Sequence, residues 1–284
     1  MRVLIIGASG TLGHDLQKEW TQDDLIPASS KEADIRDAEQ VRALISRTRP
    51  EAIVLAAAYT DVDGSEYNPE LAFAINAQGT ENVARAAAEM GASVLYVSTD
   101  YLYDGTSTRA YEPTDAIAPL NVYGKSKAAG EAALLAHATA WCIVRTSWLF
   151  GAGGASFPEK ILRAAEMRPE LTVVADQTGS PTFTRDLAGA IRDLVRKKGQ
   201  GVVNVTNAGS CTWCEFAAEV LRQAGRSEIR VRPITTAQAA RLAKRPRYSV
   251  LAPTSLHAQG ITLRSWQDAV TAYLQDLRDC GKLS

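Results

Sequence analysis

Cysteine, histidine and long apolar runs are scarce in this chain. Its 284 residues include four cysteines and three histidines, too few to indicate a disulfide framework. Cys211 and Cys214 have the spacing of a redox or zinc motif, but no second pair completes a metal site, so we interpret them as two thiols near a helix start. No run approaches the roughly 18–20 apolar residues that cross a bilayer, and Val3–Ile6 meets Gly7 before a signal-peptide core could form. These absences predict a cytoplasmic protein that does not bind membranes.

The chain also lacks an excess of charge of either sign. Its 31 basic and 32 acidic residues leave a formal net charge of −1, so no electrostatic footprint for nucleic acid is predicted. Hydrophobic residues make up 46% and charged residues 22%, which is the balance of a globular protein with a core of useful size.

Short apolar runs alternate with helical patterns along the chain. Strands are predicted at Val3–Ile6, Ile53–Ala58, Val94–Ser98, Trp141–Leu149, Leu171–Ala175, Val202–Val205 and Ile229–Pro233, with a weaker candidate at Leu25–Ala28. Helices are predicted at His14–Trp20, Val41–Thr48, Pro69–Met90, Val122–His137, Glu159–Arg168, Asp186–Arg196, Thr212–Ala224 and Trp266–Leu277.

This alternation predicts the α/β class, with a Rossmann-type doubly wound parallel sheet and a smaller, interleaved C-terminal substrate lobe. We expect residues 1–147, with parts of about 182–200 and the C-terminal helix, to form a dinucleotide-binding domain. The substrate lobe is expected over about 148–181 and 202–260, after a flexible junction at Gly151–Gly154.

A glycine-rich turn directly follows the first predicted strand and opens a helix. Its pattern is GxxGxxG, with glycines at positions 7, 10 and 13. Glycine allows a tight turn, a close approach of the main chain to a pyrophosphate, and close packing of helix on strand. The amides at the helix N-terminus then favour the anion. The predicted cofactor-binding residues here are Gly7, Gly10, Thr11, Leu12 and Gly13.

The end of the second strand indicates which dinucleotide binds. An acid there would hydrogen-bond the adenosine ribose of NAD, but the segment after Ala28 is Ser29-Ser30-Lys31. Small hydroxyls beside a lysine tolerate a 2′-phosphate, so NADPH is the predicted cofactor and NADH the alternative.

Tyr123 and Lys127 stand four residues apart on one predicted helical face. A free tyrosine has a pKa near 10, and a nearby ammonium is expected to lower that pKa and to hold a cofactor ribose hydroxyl. Thr99 ends a buried strand at the edge where open α/β sheets bind ligands. Its hydroxyl can polarise a substrate carbonyl. We therefore predict Thr99, Tyr123 and Lys127 as the catalytic residues.

Taken in order, these motifs resemble the dTDP-4-dehydrorhamnose reductases, a family of extended short-chain dehydrogenases/reductases. The resemblance runs over almost the whole chain and is carried by Gly7–Gly13, Ala57–Thr60, Val62-Asp63, the Asn76 segment, Val97–Tyr101, Pro119–Lys127, Val144–Trp148, Asp176–Thr182 and Arg245–Ser249. It implies NAD(P)H-dependent reduction of the C4 ketone of dTDP-4-dehydro-L-rhamnose, with Tyr123 as proton donor, Lys127 as its support and Thr99 polarising the carbonyl.

The resemblance also implies roles for neighbouring residues. Thr99, Asp100, Tyr101 and Trp148 match positions that line the sugar site, and Asp34, Ile35, Ala57, Ala58, Tyr59 and Thr60 match cofactor contacts. Some members are dimers with magnesium held at the interface, and Asp15 stands at one such position. We predict no catalytic metal and leave monomer or homodimer open.

Two alternative functions remain open at this point. A nucleotide-sugar epimerase, dehydratase or different ketoreductase of the same superfamily would share the turn and the Tyr/Lys pair. Dehydratases resemble Thr-Asp-Glu at the strand end, whereas Tyr101 follows Thr99-Asp100 here. A non-catalytic regulatory subunit resembling the methionine adenosyltransferase beta subunit would share the fold and act through a partner.

Overall fold

The structure is a computed structural model that describes residues 1–152 and 156–283. Its strands are β1 (Arg2–Ile6), β2 (Asp24–Ala28), β3 (Ala52–Leu55), β4 (Ser93–Thr99), β5 (Trp141–Thr146), β6 (Leu149–Phe150), β7 (Glu170–Val174), β8 (Thr178–Gly179), β9 (Thr182–Phe183), β10 (Gly201–Asn204), β11 (Cys211–Thr212) and β12 (Arg230–Ile234). Its helices are α1 (Thr11–Glu19), α2 (Ala38–Thr48), α3 (Val62–Tyr67), α4 (Pro69–Phe73), α5 (Gly79–Met90), α6 (Val122–His137), α7 (Phe157–Met167), α8 (Thr184–Arg196), α9 (Trp213–Gln223), α10 (Thr236–Ala239), α11 (Thr254–Ala258) and α12 (Trp266–Asp279).

The main sheet has six parallel strands in the order β2-β1-β3-β4-β5-β10. This order confirms the predicted Rossmann-type, doubly wound sheet. β2, the weaker strand candidate, is present at the sheet edge, where the missing amide proton of Pro27 is tolerated. Because β1 has β2 on one side and β3 on the other, the connections reverse direction there and open a crevice at the carboxyl ends of the strands.

Two apolar cores cover the two faces of the sheet. One packs α1 and α8 on the sheet, with Leu16 and Ile191 fully buried. The other packs α2, α5 and α6 on the opposite face, around residues such as Val83 and Leu134. Burial on both faces explains why the strands read as continuous apolar runs in the sequence.

A smaller part of the molecule follows β5. It holds three two-stranded pairs, β6 with β9, β7 with β12, and β8 with β11. A third core packs Phe150, Phe183, Phe216 and Tyr273 together. The chain returns to the main sheet through α8 and β10, so this smaller part is interleaved with the sheet, as the sequence predicted.

Two predicted elements are interrupted in the structure. The helix expected over Pro69–Met90 contains a π-helical turn at Ala74–Gln78 between α4 and α5. The strand expected over Trp141–Leu149 stops at Thr146 and resumes as β6, because Trp148 has a left-handed φ of +47° that breaks the extended path. Gly153 and Gly154 of the predicted junction lie outside the described residues. Within the described ranges, no helix is long and apolar enough to span a membrane.

Candidate active site

A cavity of about 870 Å³ lies at the carboxyl edge of the main sheet. Its volume is in the upper part of the range for small-molecule and cofactor sites. The structure brings every predicted site residue except Tyr59 to its wall: Gly7, Gly10, Thr11, Leu12, Gly13, Ser29, Ser30, Asp34, Ile35, Ala57, Ala58, Thr60, Thr99, Asp100, Tyr101, Tyr123, Lys127 and Trp148.

The three glycines of the turn have different physical requirements. Gly7 has a φ of +98°, and a Cβ there would lie 2.5 Å from the amide nitrogen of Ala57. A Cβ on Gly13 would collide with the carbonyl oxygen of Gly7. A Cβ on Gly10 would meet only that same oxygen, at 3.4 Å. Gly7 and Gly13 therefore serve the packing of the turn, whereas Gly10 leaves main chain open toward the cavity.

The N-terminus of α1 has no side-chain cap, because Gly10 is its N-cap residue. No acidic residue lies in the first turn of α1, so the positive end of the helix dipole is not neutralised there. Open main chain beside uncapped amides fits a pyrophosphate group. The turn therefore fits the phosphates of a dinucleotide.

The part of the cavity wall that follows β2 is polar. Ser29 and Ser30 line the cavity, whereas Lys31 is exposed and lies outside the wall. Arg36 lines the cavity instead, with its guanidinium 2.5 Å from the carboxylate of Asp34. This hydrogen-bonded pair lowers the pKa of Asp34. Sequence reasoning missed Arg36, although its charge directly after Asp34-Ile35 was a visible signal.

Tyr59 is held by Asn76 rather than facing the cavity. The Asn76 Oδ1 atom accepts from the Tyr59 amide at 2.8 Å, and Nδ2 donates to the Tyr59 carbonyl at 3.0 Å and to Ser126 Oγ at 2.9 Å. Asn76 belongs to the π-helical turn, a feature often found at functional sites. The turn thus ties the loop after β3 to α6.

Tyr123 lies in the first turn of α6. Asn121 caps that helix, its Oδ1 accepting from the Gly124 amide at 2.7 Å. Burial raises the pKa of Tyr123 to about 12, while the hydroxyl of Thr99 opposes this rise. The direction is opposite to the lowering expected from Lys127, because the cost of burying a phenolate outweighs the stabilising contacts. Tyr123 is therefore a neutral phenol at physiological pH.

Lys127 is 2% exposed. Its Nζ atom donates to the Val97 carbonyl at 2.7 Å and lies 4.0 Å from the centre of the Tyr96 ring. Burial lowers the pKa of Lys127 to about 7, and the negative charge of Glu131 opposes this lowering. The side chain is thus fixed with its ammonium group at the cavity wall, one helical turn from Tyr123.

Asp100 and Thr99 form a buried polar pair at the end of β4. The Thr99 hydroxyl donates to Asp100 Oδ1 at 3.1 Å and accepts from the Tyr101 amide at 3.2 Å. Ser249 donates to Asp100 Oδ2 at 2.5 Å. Burial raises the pKa of Asp100 to about 7 despite these bonds, so a carboxyl that titrates near neutrality lies beside the phenol of Tyr123.

Two stacked indoles form an aromatic wall in the smaller part of the molecule. The ring centres of Trp148 and Trp213 are 3.5 Å apart and their planes differ by 8°. Both line the cavity. The left-handed φ of Trp148 costs about 1–3 kcal/mol for a bulky residue, and such strain clusters at functional sites. Trp213 was missed from the sequence, since only the fold brings it to Trp148.

Asp15, at the expected interface metal position, is 6% exposed and accepts from the Thr184 hydroxyl at 2.5 Å. Its contacts are therefore with α8, within the chain. Among the described residues, no group of three His, Cys, Asp or Glu side chains is placed to hold a metal ion.

Cys211 and Cys214 are free thiols at β11 and the start of α9, as predicted.

Comparison with known proteins gives matches over nearly the whole chain. The family model described as RmlD substrate binding domain matches residues 1–279. A dTDP-4-dehydrorhamnose reductase from Mycobacterium tuberculosis (strain ATCC 25618 / H37Rv) is 39% identical, over 96% of this chain and 92% of that protein. A dTDP-4-keto-6-deoxy-D-glucose reductase from Streptomyces niveus is 37% identical, over 95% of each. The crystal structure of dTDP-4-dehydrorhamnose reductase from Bacillus anthracis in complex with NADP has a TM-score of 0.94 and 38% identity, covering 97% of this chain and 99% of that one.

Proposed function

This chain belongs to the RmlD substrate binding domain family, and from that premise we propose that it is an NAD(P)H-dependent oxidoreductase that reduces dTDP-4-dehydro-L-rhamnose to dTDP-L-rhamnose. The names of its relatives support an NAD(P)H-dependent reductase of a dTDP-linked ketosugar. The choice of dTDP-4-dehydro-L-rhamnose, and the role of each residue below, are our proposals.

The observation that carries the proposal is the convergence of two motifs on one cavity. The glycine turn of residues 7–13 and the set Thr99, Tyr123 and Lys127 are far apart in sequence, yet both line the same cavity. A dinucleotide on the turn and a ketone beside Tyr123 would then share one space. That is the arrangement a cofactor-dependent ketone reduction needs, because both reactants must be held in contact.

NADPH is the proposed cofactor, with NADH as the alternative. We assign the pyrophosphate to the Gly7–Gly13 turn, the adenosine end to the region of Ser29, Ser30 and Arg36, and a ribose hydroxyl to Lys127. The nicotinamide ring of NADPH supplies, when bound, the hydride that the C4 carbon of the sugar accepts.

The side chains act on the oxygen of the same carbonyl. In the structure the Thr99 hydroxyl donates to Asp100. With the sugar bound, it would turn its proton to the carbonyl oxygen and stabilise the growing negative charge there. Tyr123 donates its phenolic proton to the oxygen, which completes the alcohol, and solvent then reprotonates the phenolate. A pKa of about 12 keeps Tyr123 protonated at neutral pH, and protonation is the state that a proton donor requires.

The sugar would be held between Asp100, Tyr101 and Trp148, and the aromatic wall suits the apolar face of a deoxysugar. We further propose the two domains expected from the sequence. Residues 1–147, with parts of about 182–200 and the C-terminal helix, form the dinucleotide-binding domain and also supply Asp100 and Tyr101 to the sugar site. The substrate lobe is formed by about 148–181 and 202–260. The protein would act in the cytoplasm, as a monomer or homodimer.

Product analysis tests this proposal. The purified protein is incubated with NADPH or NADH and dTDP-4-dehydro-L-rhamnose made in situ, and the sugar nucleotide is identified by NMR. We expect stoichiometric dTDP-L-rhamnose, with NADPH the better donor and no cofactor retained through purification. Tightly retained NAD with isomerised sugar would favour an epimerase, and cofactor binding without turnover would favour a regulatory subunit.

A further inference from the structure

Residues 243–249, which we call the closing segment, carry a sequence motif that the proposed chemistry leaves without a role. The segment forms neither helix nor strand, and one isolated bridge pairs its Tyr248 with Thr178. Its contacts nevertheless reach several elements that carry predicted site residues.

Its first anchor is Asp63 in α3. Arg245 donates to both carboxylate oxygens of Asp63, at 3.0 and 2.9 Å, and the Ala243 amide donates to Oδ1 at 3.0 Å. The Arg245 guanidinium also lowers the pKa of Asp63. A planar guanidinium that donates to both oxygens of a carboxylate fixes the relative orientation of the two groups as well as their distance. The side chain of Arg245 is only 16% exposed, so water screens this pair weakly.

Its other anchors surround Tyr123. The Asn121 side chain, which caps α6, also donates to the Lys244 carbonyl at 2.7 Å. At the far end of the segment, Ser249 donates to Asp100 at 2.5 Å. The closing segment thus contacts both the helix that carries Tyr123 and the strand end that carries Thr99.

The far end of the closing segment lies beside Tyr101, since Ser249 is hydrogen-bonded to Asp100, the preceding residue in the chain. The positive charge of Arg245 also opposes the strong rise in the pKa of Tyr101 that burial causes. The Tyr101 ring meets the Tyr123 ring edge to face, with centres 6.0 Å apart. The closing segment is therefore fixed at one end to Asp63 and at the other end beside the phenol proposed as proton donor.

We propose that Arg245, fastened to Asp63, is a positioning residue that fixes the closing segment against Asp100 and so holds Tyr101 in place for the nucleotide sugar. The inference rests on the proposed function, since it assigns Tyr101 to the sugar site. It predicts that loss of Arg245 weakens use of the sugar and leaves use of NADPH unchanged, because the glycine turn lies in a different part of the cavity wall.

The test compares Arg245→Ala, Arg245→Lys, Tyr101→Phe and the double variant Arg245→Ala/Tyr101→Phe. We expect Arg245→Ala to raise the KM for the sugar about tenfold or more, the scale of a lost hydrogen bond to a charged group, with the KM for NADPH within about twofold. Arg245→Lys keeps the positive charge but cannot donate to both carboxylate oxygens, so its KM for the sugar should be intermediate. The loss in the double variant should be smaller than the sum of the two single losses, because Arg245 acts by positioning Tyr101.

Arg241→Ala is the matched control. Arg241 lies 3.7 Å from the same Asp63 carboxylate, but its side chain is 67% exposed, so this change should alter neither KM. Additive effects in the double variant, or equal losses for sugar and NADPH, would overturn the proposal by indicating a merely structural role.

A second readout does not depend on turnover. Hydrogen exchange of peptides covering residues 243–249 and 100–105 should accelerate in Arg245→Ala and not in Arg241→Ala. If the unaltered protein fails to reduce the sugar, the proposed function fails, and this exchange experiment still tests the anchoring by Arg245. Unchanged protection of both peptides would overturn it.

Discussion

Glu131 lies one helical turn after Lys127 on α6, yet its carboxylate is bound to Arg145, at 2.7 Å, while the Lys127 ammonium donates to the Val97 carbonyl. The negative charge nearest to Lys127 along the helix is therefore already paired. This explains why burial dominates and lowers the pKa of Lys127 to about 7. Keeping Lys127 charged therefore lowers the stability of the folded protein.

Lys127→Met should change the pH dependence of stability. The folded pKa of Lys127, about 7, is below its ordinary value of 10.5. Its contribution to stability is therefore present above pH 10.5 and is lost as the pH falls toward 7, by up to about 1.4 kcal/mol per pH unit. Urea unfolding at pH 7 and pH 9 measures this change. The stability of the Met variant relative to the unaltered protein should be higher at pH 7 than at pH 9, and a difference that does not vary with pH contradicts the assignment.

Gly10→Ala should weaken NADPH binding without unfolding the protein. Its Cβ meets only the Gly7 carbonyl, at 3.4 Å, so the fold should survive while NADPH affinity falls about tenfold or more through overpacking against the pyrophosphate. Gly13→Ala should instead lower the free energy of unfolding by about 1–3 kcal/mol or more, because its Cβ collides with main chain.

Gly189→Ala is the control for both glycine variants. Gly189 lies within α8, and a Cβ there meets no atom within 4 Å. It should stabilise the protein by about 0.5–1 kcal/mol and leave NADPH affinity unchanged. Fluorescence titration with NADPH and thermal unfolding measure the three variants. If Gly10→Ala binds NADPH as tightly as Gly189→Ala, the turn does not hold the pyrophosphate.

Gly179→Ala should disturb the stacked pair of Trp148 and Trp213 and leave the cofactor site unchanged. A Cβ at Gly179 would lie 2.5 Å from the Trp148 indole, so the indole must move off its stack with Trp213. Because such stacks contribute about 0.5–1.5 kcal/mol, the KM for the sugar should rise by up to about tenfold. The KM for NADPH, measured in the same assays, should stay constant. An unchanged KM for the sugar would contradict the proposed contact between Trp148 and the sugar.

Asp100→Asn should alter the pH profile of the reduction. With a pKa near 7, Asp100 becomes ionised above neutrality, and its charge raises the pKa of Tyr123 further. Proton donation by Tyr123 should then slow above about pH 7. The amide variant keeps an acceptor for Ser249 without the charge, so its kcat should decline less between pH 7 and 9. Parallel profiles for the two proteins would refute this coupling.

The fold followed from the sequence because its signals are local. Apolar strands such as Val3–Ile6, and a glycine turn directly after them, determine a buried parallel sheet and the place of its ligand edge. Tyr123, Lys127 and Thr99 were visible for the same reason, since each lies at a fixed point of one element.

The features that were missed depend on contacts between distant segments. Trp213 reaches Trp148, and Arg245 reaches Asp63, only after the chain has folded. The pKa of Tyr123 likewise rises through burial by several elements, which spacing along one helix could not reveal. The left-handed φ of Trp148 has no local signal either, since bulky residues seldom adopt it.

The most direct test of the central claim is the rate of sugar-dependent NADPH oxidation by the unaltered protein and by Tyr123→Phe. We expect rapid oxidation that requires dTDP-4-dehydro-L-rhamnose. Loss of the phenolic proton should lower kcat at least about a hundredfold, with NADPH affinity and thermal stability retained. A Tyr123→Phe variant of near-normal activity, or an unaltered protein that binds NADPH but leaves the ketone unreduced, would contradict the account.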